Sequence, residues 1–402
     1  MVSRRKRPAG LMGQLSASSG FQQARPVKLL LQAVGWALIA GLFTSGCAQT
    51  PAASTPGKSH HTPTGFKNNY IEAVDRPFTD LLRWQWAAFR KGLPPAPRTP
   101  TPTQPADIAF LKSNAGGGSP MRPAVTWIGH ASTLVQAGGL NVLTDPMFSE
   151  RAFPVQIAGP KRQQPPGVAL ADLPPIDVVV ISHNHYDHLD RQSVFALDQR
   201  SRAAPQGPQT LFLVPLGLKA WFQDLGISNV VELDWWDKHT VRGVDFYLTP
   251  VQHWSARSFN DRSRTLWGGW AVFSNDFNWY FSGDAGYSKD FADTKTYFES
   301  KYPGNPQRKL FDVALLALGA YEPRWFMAAQ HINPAEAVQA HFDLGAERAI
   351  GIHWGTFNLT DEALDVPPVE LDRARRTAGL SQADFDVLKI GETRTFSARP
   401  AK

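Results

Sequence analysis

Residues 181–190 read ISHNHYDHLD, so His183, His185, Asp187 and His188 fall close together directly after the apolar run Val178–Val180. Imidazole nitrogen and carboxylate oxygen are the ligands that suit Zn²⁺ or Fe²⁺ where thiolates are absent. The only cysteine is Cys47, near the N-terminus, so no intrachain disulfide forms and a metal site must use histidine and carboxylate. Ligands this close in sequence cannot close two metal sites, and others must come from elsewhere. His253 in TPVQHWSAR, Asp284 in YFSGDAGY and His353 in AIGIHWGTF each follow an apolar run and sit among small or turn residues.

The elements that would carry these residues are short and β-rich. From 122 to 398 the runs VTWIG, TLVQA, NVLTD, DVVVIS, TLFLVP, NVVEL, DFYLTP, WAVFS, WYFSG, DVALLAL and RAIGIHW alternate with turns and helix-like segments such as NPAEAVQAHFDL. Several are continuously apolar, as strands covered on both faces must be. With 43% hydrophobic residues, 13 Trp and 24 Phe, there is ample material for one large α/β core of layered sheets.

Upstream, the sequence predicts three different regions. Residues 1–46 have the form of an export signal: Arg4, Arg5, Lys6 and Arg7, then LLLQAVGWALIAGLF, then the small residues TSG before Cys47. The lone Cys47 resembles the lipobox cysteine of bacterial lipoproteins, although Thr44 stands where Leu is usual; a cleaved ordinary signal or an uncleaved anchor are the alternatives. Ala48 is similar to lipoproteins sorted to an outer membrane, so the expected location is the cell envelope, facing the periplasm. Residues 47–77, rich in Pro, Ser and Thr, read as a flexible tether in which His60 and His61 are solvated. Within 78–121, FTDLLRWQWAAFRKG predicts a helix, with Phe78, Leu81, Leu82, Trp86 and Phe89 recurring at threes and fours. It either packs on the protein surface or dips into lipid headgroups with Trp84, Trp86, Arg83, Arg90 and Lys91. Pro-rich LPPAPRTPTPTQP follows as a second linker.

The formal charge of +6 resides in the leader; beyond it Lys and Arg balance Asp and Glu, so charge gives no argument for nucleic acid.

H-x-H-x-D-H followed by His, Asp and His resembles the metallo-β-lactamase superfamily, whose α/β fold is an αββα sandwich. More narrowly, ISHNHYDHLD, ELDWWD, QHW, WGGW, SGDAGY, GAYEPRWFM, HINPAEA and IHWGTF look like the N-acylphosphatidylethanolamine-hydrolysing phospholipase D family. The resemblance implies that His183, His185 and His253 bind one Zn²⁺ and Asp187, His188 and His353 the other, with Asp284 bridging; Fe or Mn are alternatives. Two adjacent divalent cations acidify a bridging water to hydroxide near neutral pH and neutralise charge on a phosphoryl oxygen. Attack on phosphorus of an N-acylphosphatidylethanolamine would give phosphatidate and an N-acylethanolamine. An aspartate bridge suits phosphodiester chemistry, whereas zinc β-lactam hydrolases commonly place a cysteine there.

By the same resemblance His331 lies beside the metals, binding a phosphate oxygen or protonating the leaving alkoxide, and Asp284 and Asp187 complete the catalytic set. Asp145 in LTDP either orients a ligand histidine or is a turn residue before Pro146. His130 in WIGHAS stands at the site edge or bonds within its own loop. In GAYEPRWFM, with Tyr321 and Glu322, Arg324 would meet a lipid phosphate and Trp325, Phe326 and Met327 line an acyl groove; a buried loop with a Glu322–Arg324 pair is the alternative. The implied partners are a membrane phospholipid and the membrane surface, with a homodimer left open. The rival readings are a superfamily hydrolase of another phosphodiester, a lactone or a β-lactam, and a noncatalytic envelope lipoprotein.

Overall fold

Eleven apolar runs predict eleven strands, and all eleven are present in the computed structural model, which describes residues 58–71, 77–116, 120–204, 209–302 and 308–400. These residues all fall in one of the chain's two units, that spanning Ser45–Lys402. The expected export signal and Cys47 lie outside the described residues.

Two seven-stranded sheets face each other. The first runs in the order Thr393–Thr395, Ala124–Gly129, Ser132–Ala137, Leu140–Thr144, Val178–Val180, Leu211–Pro215, Val230–Leu233. The second runs Phe385–Val387, Ala346–Ile352, Phe311–Ala317, Trp279–Phe281, Gly269–Phe273, Val244–Thr249, Lys238–Val241. In each sheet four neighbouring strands are parallel and the rest antiparallel; Leu315, for example, lies between Phe281 and Ile350. The parallel strands are the continuously apolar ones because both their faces are covered.

The inner faces meet in one core that includes Trp127, Val135, Val180, Leu213, Phe246, Trp270, Phe281 and Leu315. Outside the first sheet, Ile128, Leu134, Val179 and Phe212 pack under Leu111, Val194, Leu197 and Phe222 from helices Ile108–Ser113, Arg191–Arg202 and Lys219–Asp224. Outside the second lie helices Asp290–Lys301, Pro334–Leu344 and Val366–Thr377, which contribute Phe291, Phe298, Ala337, Leu344 and Leu371. The layers are therefore helix, sheet, sheet, helix, as the αββα expectation requires.

Three upstream expectations need correction. Residues 58–71 are not a loose tether. They form a small hairpin, His61–Thr62 with Gly65–Phe66, docked on the body. His60 and His61 are not solvated: both hydrogen-bond Asp234, at 2.6 and 2.7 Å, and His60 stacks on Trp235. Composition misleads because this segment is held largely by polar contacts, with Phe66 alone buried in the main hydrophobic core. The Pro-rich linker is also docked, Thr101 donating to the Gly355 carbonyl and Gln104 to that of Ile390.

Helix Phe78–Lys91 exists, but it buries Trp84 and Ala88 rather than the face expected from its periodicity. Trp84 donates to Asp361 at 2.8 Å and packs on Phe326, which rotates Phe78, Leu82 and Trp86 to the exterior. Among the described residues no helix is long and apolar enough to cross a membrane.

Candidate metal centre

The expected ligands sit where the parallel strands end. His183 follows Val178–Val180, Asp284 follows Trp279–Phe281, His353 follows Ala346–Ile352 and Asp145 follows Leu140–Thr144, so both sheets deliver side chains to one edge. The chain turns sharply there. Asp145, His353 and His130 all hold positive φ, at 32°, 61° and 55°, which non-glycine residues rarely adopt away from functional sites. Close approach also requires glycine: a Cβ on Gly283 would lie 2.4 Å from Ser182 Cβ, and one on Gly319 would lie 2.1 Å from the His353 carbonyl.

Two clusters result. In the first, ligand atoms of His183, His185, His253 and Asp284 lie within 4.8 Å of one another; in the second, those of His130, Asp187, His188 and His353 do. Asp284 lies between them, its oxygens 3.1 Å from His188 Nε2 and from His353 Nε2, and 3.8 and 3.9 Å from His183 and His253 Nε2. The seven expected ligands thus converge, with Asp284 at their junction.

Proton accounting shows which atoms face the centre. Ser182 Oγ donates to Asp145 at 2.5 Å, so it must accept from His183 Nδ1–H at 2.8 Å, leaving His183 Nε2 bare. His253 Nδ1–H donates to the Gln330 carbonyl at 2.9 Å, and His188 Nδ1–H to Asp145 at 2.7 Å. Their Nε2 atoms also face inward. His185 Nδ1 lies 2.8 Å from His183 Nε2 and 3.4 Å from His253 Nε2, and one proton on it cannot satisfy both. Buried His188 Nε2, His353 Nε2 and Asp284 Oδ1 have no hydrogen-bond partner. Buried lone pairs left bare in this number are costly unless a cation meets them, so the donor set fits two divalent metals.

The electrostatics favour the same state. Burial, reinforced by His188 and His185, holds His183 well below the ordinary imidazole range; burial does the same for His253 and brings His185 to about 3. Burial opposes charge on Asp284 and Asp187, but the surrounding histidines, His188 foremost, outweigh it and hold both carboxyls well below their usual range. His188 is the exception: burial opposes its charge, but Asp284 and Asp187 outweigh burial and hold it well above the ordinary imidazole range, so a cation there would displace its proton. The other imidazoles, neutral beside ionised carboxylates, are already in the metal-binding form.

Of the other expected residues, Asp145 is buried behind the ligands: it accepts from Ser182 N, Ser182 Oγ and His188 Nδ1. His130 does more than bond within its loop, since its Nε2 meets Asp187 Oδ2 at 2.9 Å and its carbonyl accepts from His353 N. His331 borders the centre, Nδ1 lying 3.9 Å from Asp284, and burial lowers its pKa to about 4.

The GAYEPRWFM loop departs from expectation. Arg324 is not free for a lipid phosphate: it forms a bidentate pair with Glu336, at 2.9 and 2.8 Å, and donates to the His331 carbonyl. Its partner is therefore Glu336 rather than Glu322, and it braces the turn that carries His331. Phe326 and Met327 are buried against Trp84 and Ala88, so they do not line an open acyl groove; Trp325 is 44% exposed. Tyr321 is buried.

Sequence reasoning missed Ser182, Gln330 and Asn68. Asn68 brackets the His253 peptide, donating to its carbonyl at 3.0 Å and accepting from its N–H at 2.9 Å. Ser182 stands next to a predicted ligand and was open to suspicion; nothing in the sequence marks the other two.

Residues 140–354 match the beta-lactamase superfamily domain, the class that this sandwich and paired centre define. Across 280 residues the chain is 41% identical to an N-acyl-phosphatidylethanolamine-hydrolyzing phospholipase D of Caenorhabditis elegans, covering 66% of this chain and 74% of that protein. It is 36% identical to an uncharacterised protein of Mycobacterium tuberculosis, over 82% of this chain and 84% of the relative. In fold it is similar to an isothiocyanate hydrolase from Delia radicum gut bacteria, with a TM-score of 0.51 and 20% identity over 68% of this chain and 99% of that one. The chain belongs to the metallo-β-lactamase superfamily of metal-dependent hydrolases and, within it, to the N-acylphosphatidylethanolamine-hydrolysing phospholipase D family.

Proposed function

We propose that the protein is a zinc-dependent phosphodiesterase that cleaves N-acylphosphatidylethanolamine to phosphatidate and N-acylethanolamine. The observation that carries this reading is Asp284, an oxygen ligand at the junction of two three-residue ligand sets, in a chain with 41% identity to a relative bearing that activity's name. Two zinc ions bound there would supply an acidified water as nucleophile and offset charge on the phosphoryl oxygens. The chain's own residues do the rest. Asp145, through His188 and Ser182, fixes the ligand histidines; His130 holds Asp187; His331 stands at the rim, placed to meet a phosphate oxygen or the departing alkoxide.

A bilayer substrate fits the outer face of helix Phe78–Lys91. Phe78, Leu82 and Trp86 are exposed there, Arg83 lies over the ring of exposed Trp325 at 5.3 Å, and Arg90 and Lys91 end the helix. Apolar side chains flanked by cations suit an anionic membrane interface. On this reading the protein is held in a bacterial cell envelope by a lipidated Cys47, facing the periplasm and favouring the outer membrane; Cys47→Ser then moves it to the soluble fraction. A homodimer is compatible with this arrangement.

Mass analysis of products from phospholipids with and without an N-acyl group tests the reaction. Phosphatidate together with the intact N-acylated headgroup is expected; cleavage of no phospholipid in the panel defeats the proposal.

A further inference from the structure

We infer that residues 58–71 are a strap that positions the metal ligand His253, with Asn68 as the positioning residue. The inference rests on the metal-centre reading and not on the identity of the lipid.

His253 differs from the other ligands. It lies in the long connection between strands Val244–Thr249 and Gly269–Phe273, past the end of the first; the preceding Gln252 is bridged to Gly286, but the N–H and C=O of His253 itself have no strand partner. Asn68, buried to 5% exposure, takes that role: its amide donates to the His253 carbonyl and its oxygen accepts the His253 N–H. The imidazole is fixed separately by the Gln330 carbonyl. Peptide and ring are thus pinned by different segments, and Nε2 is left facing Asp284.

Asn68 can pin His253 only if it is itself held, and the strap is fastened on both sides of it. Upstream, Lys58, His60 and His61 converge on the buried Asp234 at 2.6–2.7 Å. Nearer, Phe66 donates to the Ser263 carbonyl at 2.8 Å, and Gly65 lies so close to that carbonyl that a Cβ would sit 2.1 Å from it. Ser263 closes back on Ser255, so the strap grips the loop that begins at His253. Downstream, Asn69 donates to Asp290 at 2.8 Å and Tyr70 to Asp293. A two-point hydrogen bond to the backbone of a ligand does the work usually given to groups behind the ligand ring, whose loss typically weakens metal affinity about 10–100-fold.

The test uses the full-length chain and measures metal rather than turnover. Asn68→Ala should lose metal to a competing chelator at about tenfold lower chelator concentration or less, and should shrink the rise in Tm that added Zn²⁺ produces. Tyr70→Phe, which removes one exposed contact at the far end of the strap and leaves the Asp234, Ser263 and Asn69–Asp290 fastenings in place, should leave both unchanged. If Asn68→Ala does not fold, Asn68→Asp carries the same comparison, since it keeps the acceptor for His253 N–H and loses the donor. Unchanged metal affinity, a Tm loss equal with and without Zn²⁺, or an equal effect of Tyr70→Phe would each overturn the assignment.

Discussion

Two clusters of this protein are built from the same chemistry and answer it differently. His183, His185, His253 and Asp284 converge at the strand ends; His60, His61 and Asp234 converge beneath the strap. In the first, the histidines spend their second nitrogens on Ser182 and Gln330 and turn bare lone pairs toward one another. In the second, each Nε2 meets its own oxygen of Asp234, with Lys58 adding a cation, so the carboxylate is fully engaged. Ligand-type residues in proximity do not make a metal site; the lone pairs left without protons do.

The comparison breaks most visibly at Asp284. Asp284→Asn should lower kcat on the order of 10³-fold, the scale of lost charge stabilisation at a catalytic centre, and reduce bound metal measured per chain. Full activity in the presence of a strong chelator would instead remove the metal from the chemistry. Next in size, Ser182→Ala strips His183 of its acceptor and Asp145 of a donor, and should weaken metal binding about 10–100-fold by chelator competition. Titration of the metal-free protein with Zn²⁺ sharpens the contrast: two ions should bind tightly, and a third of similar affinity would make the strap cluster a metal site after all.

The smallest effect belongs to the strap. Burial opposes charge on Asp234, but His60 and Lys58 outweigh it and depress its pKa. A depressed carboxyl stabilises above its unfolded pKa, near the model-peptide value of about 3.9, and that stability is lost as pH falls below it. Asp234→Asn should therefore cost about 1–3 kcal/mol in denaturant titrations at neutral pH, and the deficit should narrow progressively below about pH 4.

Much of this was legible because strand burial and metal ligation both leave local marks. Val178–Val180 followed by His183, His185, Asp187 and His188 declares a buried strand ending in ligand-type residues, and Asp284 and His353, which converge with them, repeat the pattern. What escaped was long-range and polar. Asn68 touches a residue 185 positions away, and Gln330 one 77 away, through contacts no periodicity announces. The strap looked like a tether because hydrogen bonds to Asp234, His253 and Asp290, with only Phe66 in the core, replace most of the apolar surface that composition detects. The helix at 78–91 was placed correctly and rotated wrongly, since Trp84 is drawn inward by Asp361 and Phe326, neither visible from the helix's own sequence.

The strap also has a consequence for the order of folding. It is made before its partners, since Asp234, His253 and Asp290 lie 174, 185 and 221 residues downstream of His60, Asn68 and Asn69. Closing loops of that length is entropically late, so a segment synthesised well before its partners is among the last to be placed. If the strap positions His253 as proposed, full metal affinity is then a late event in maturation, reached only when residues 58–71 have docked.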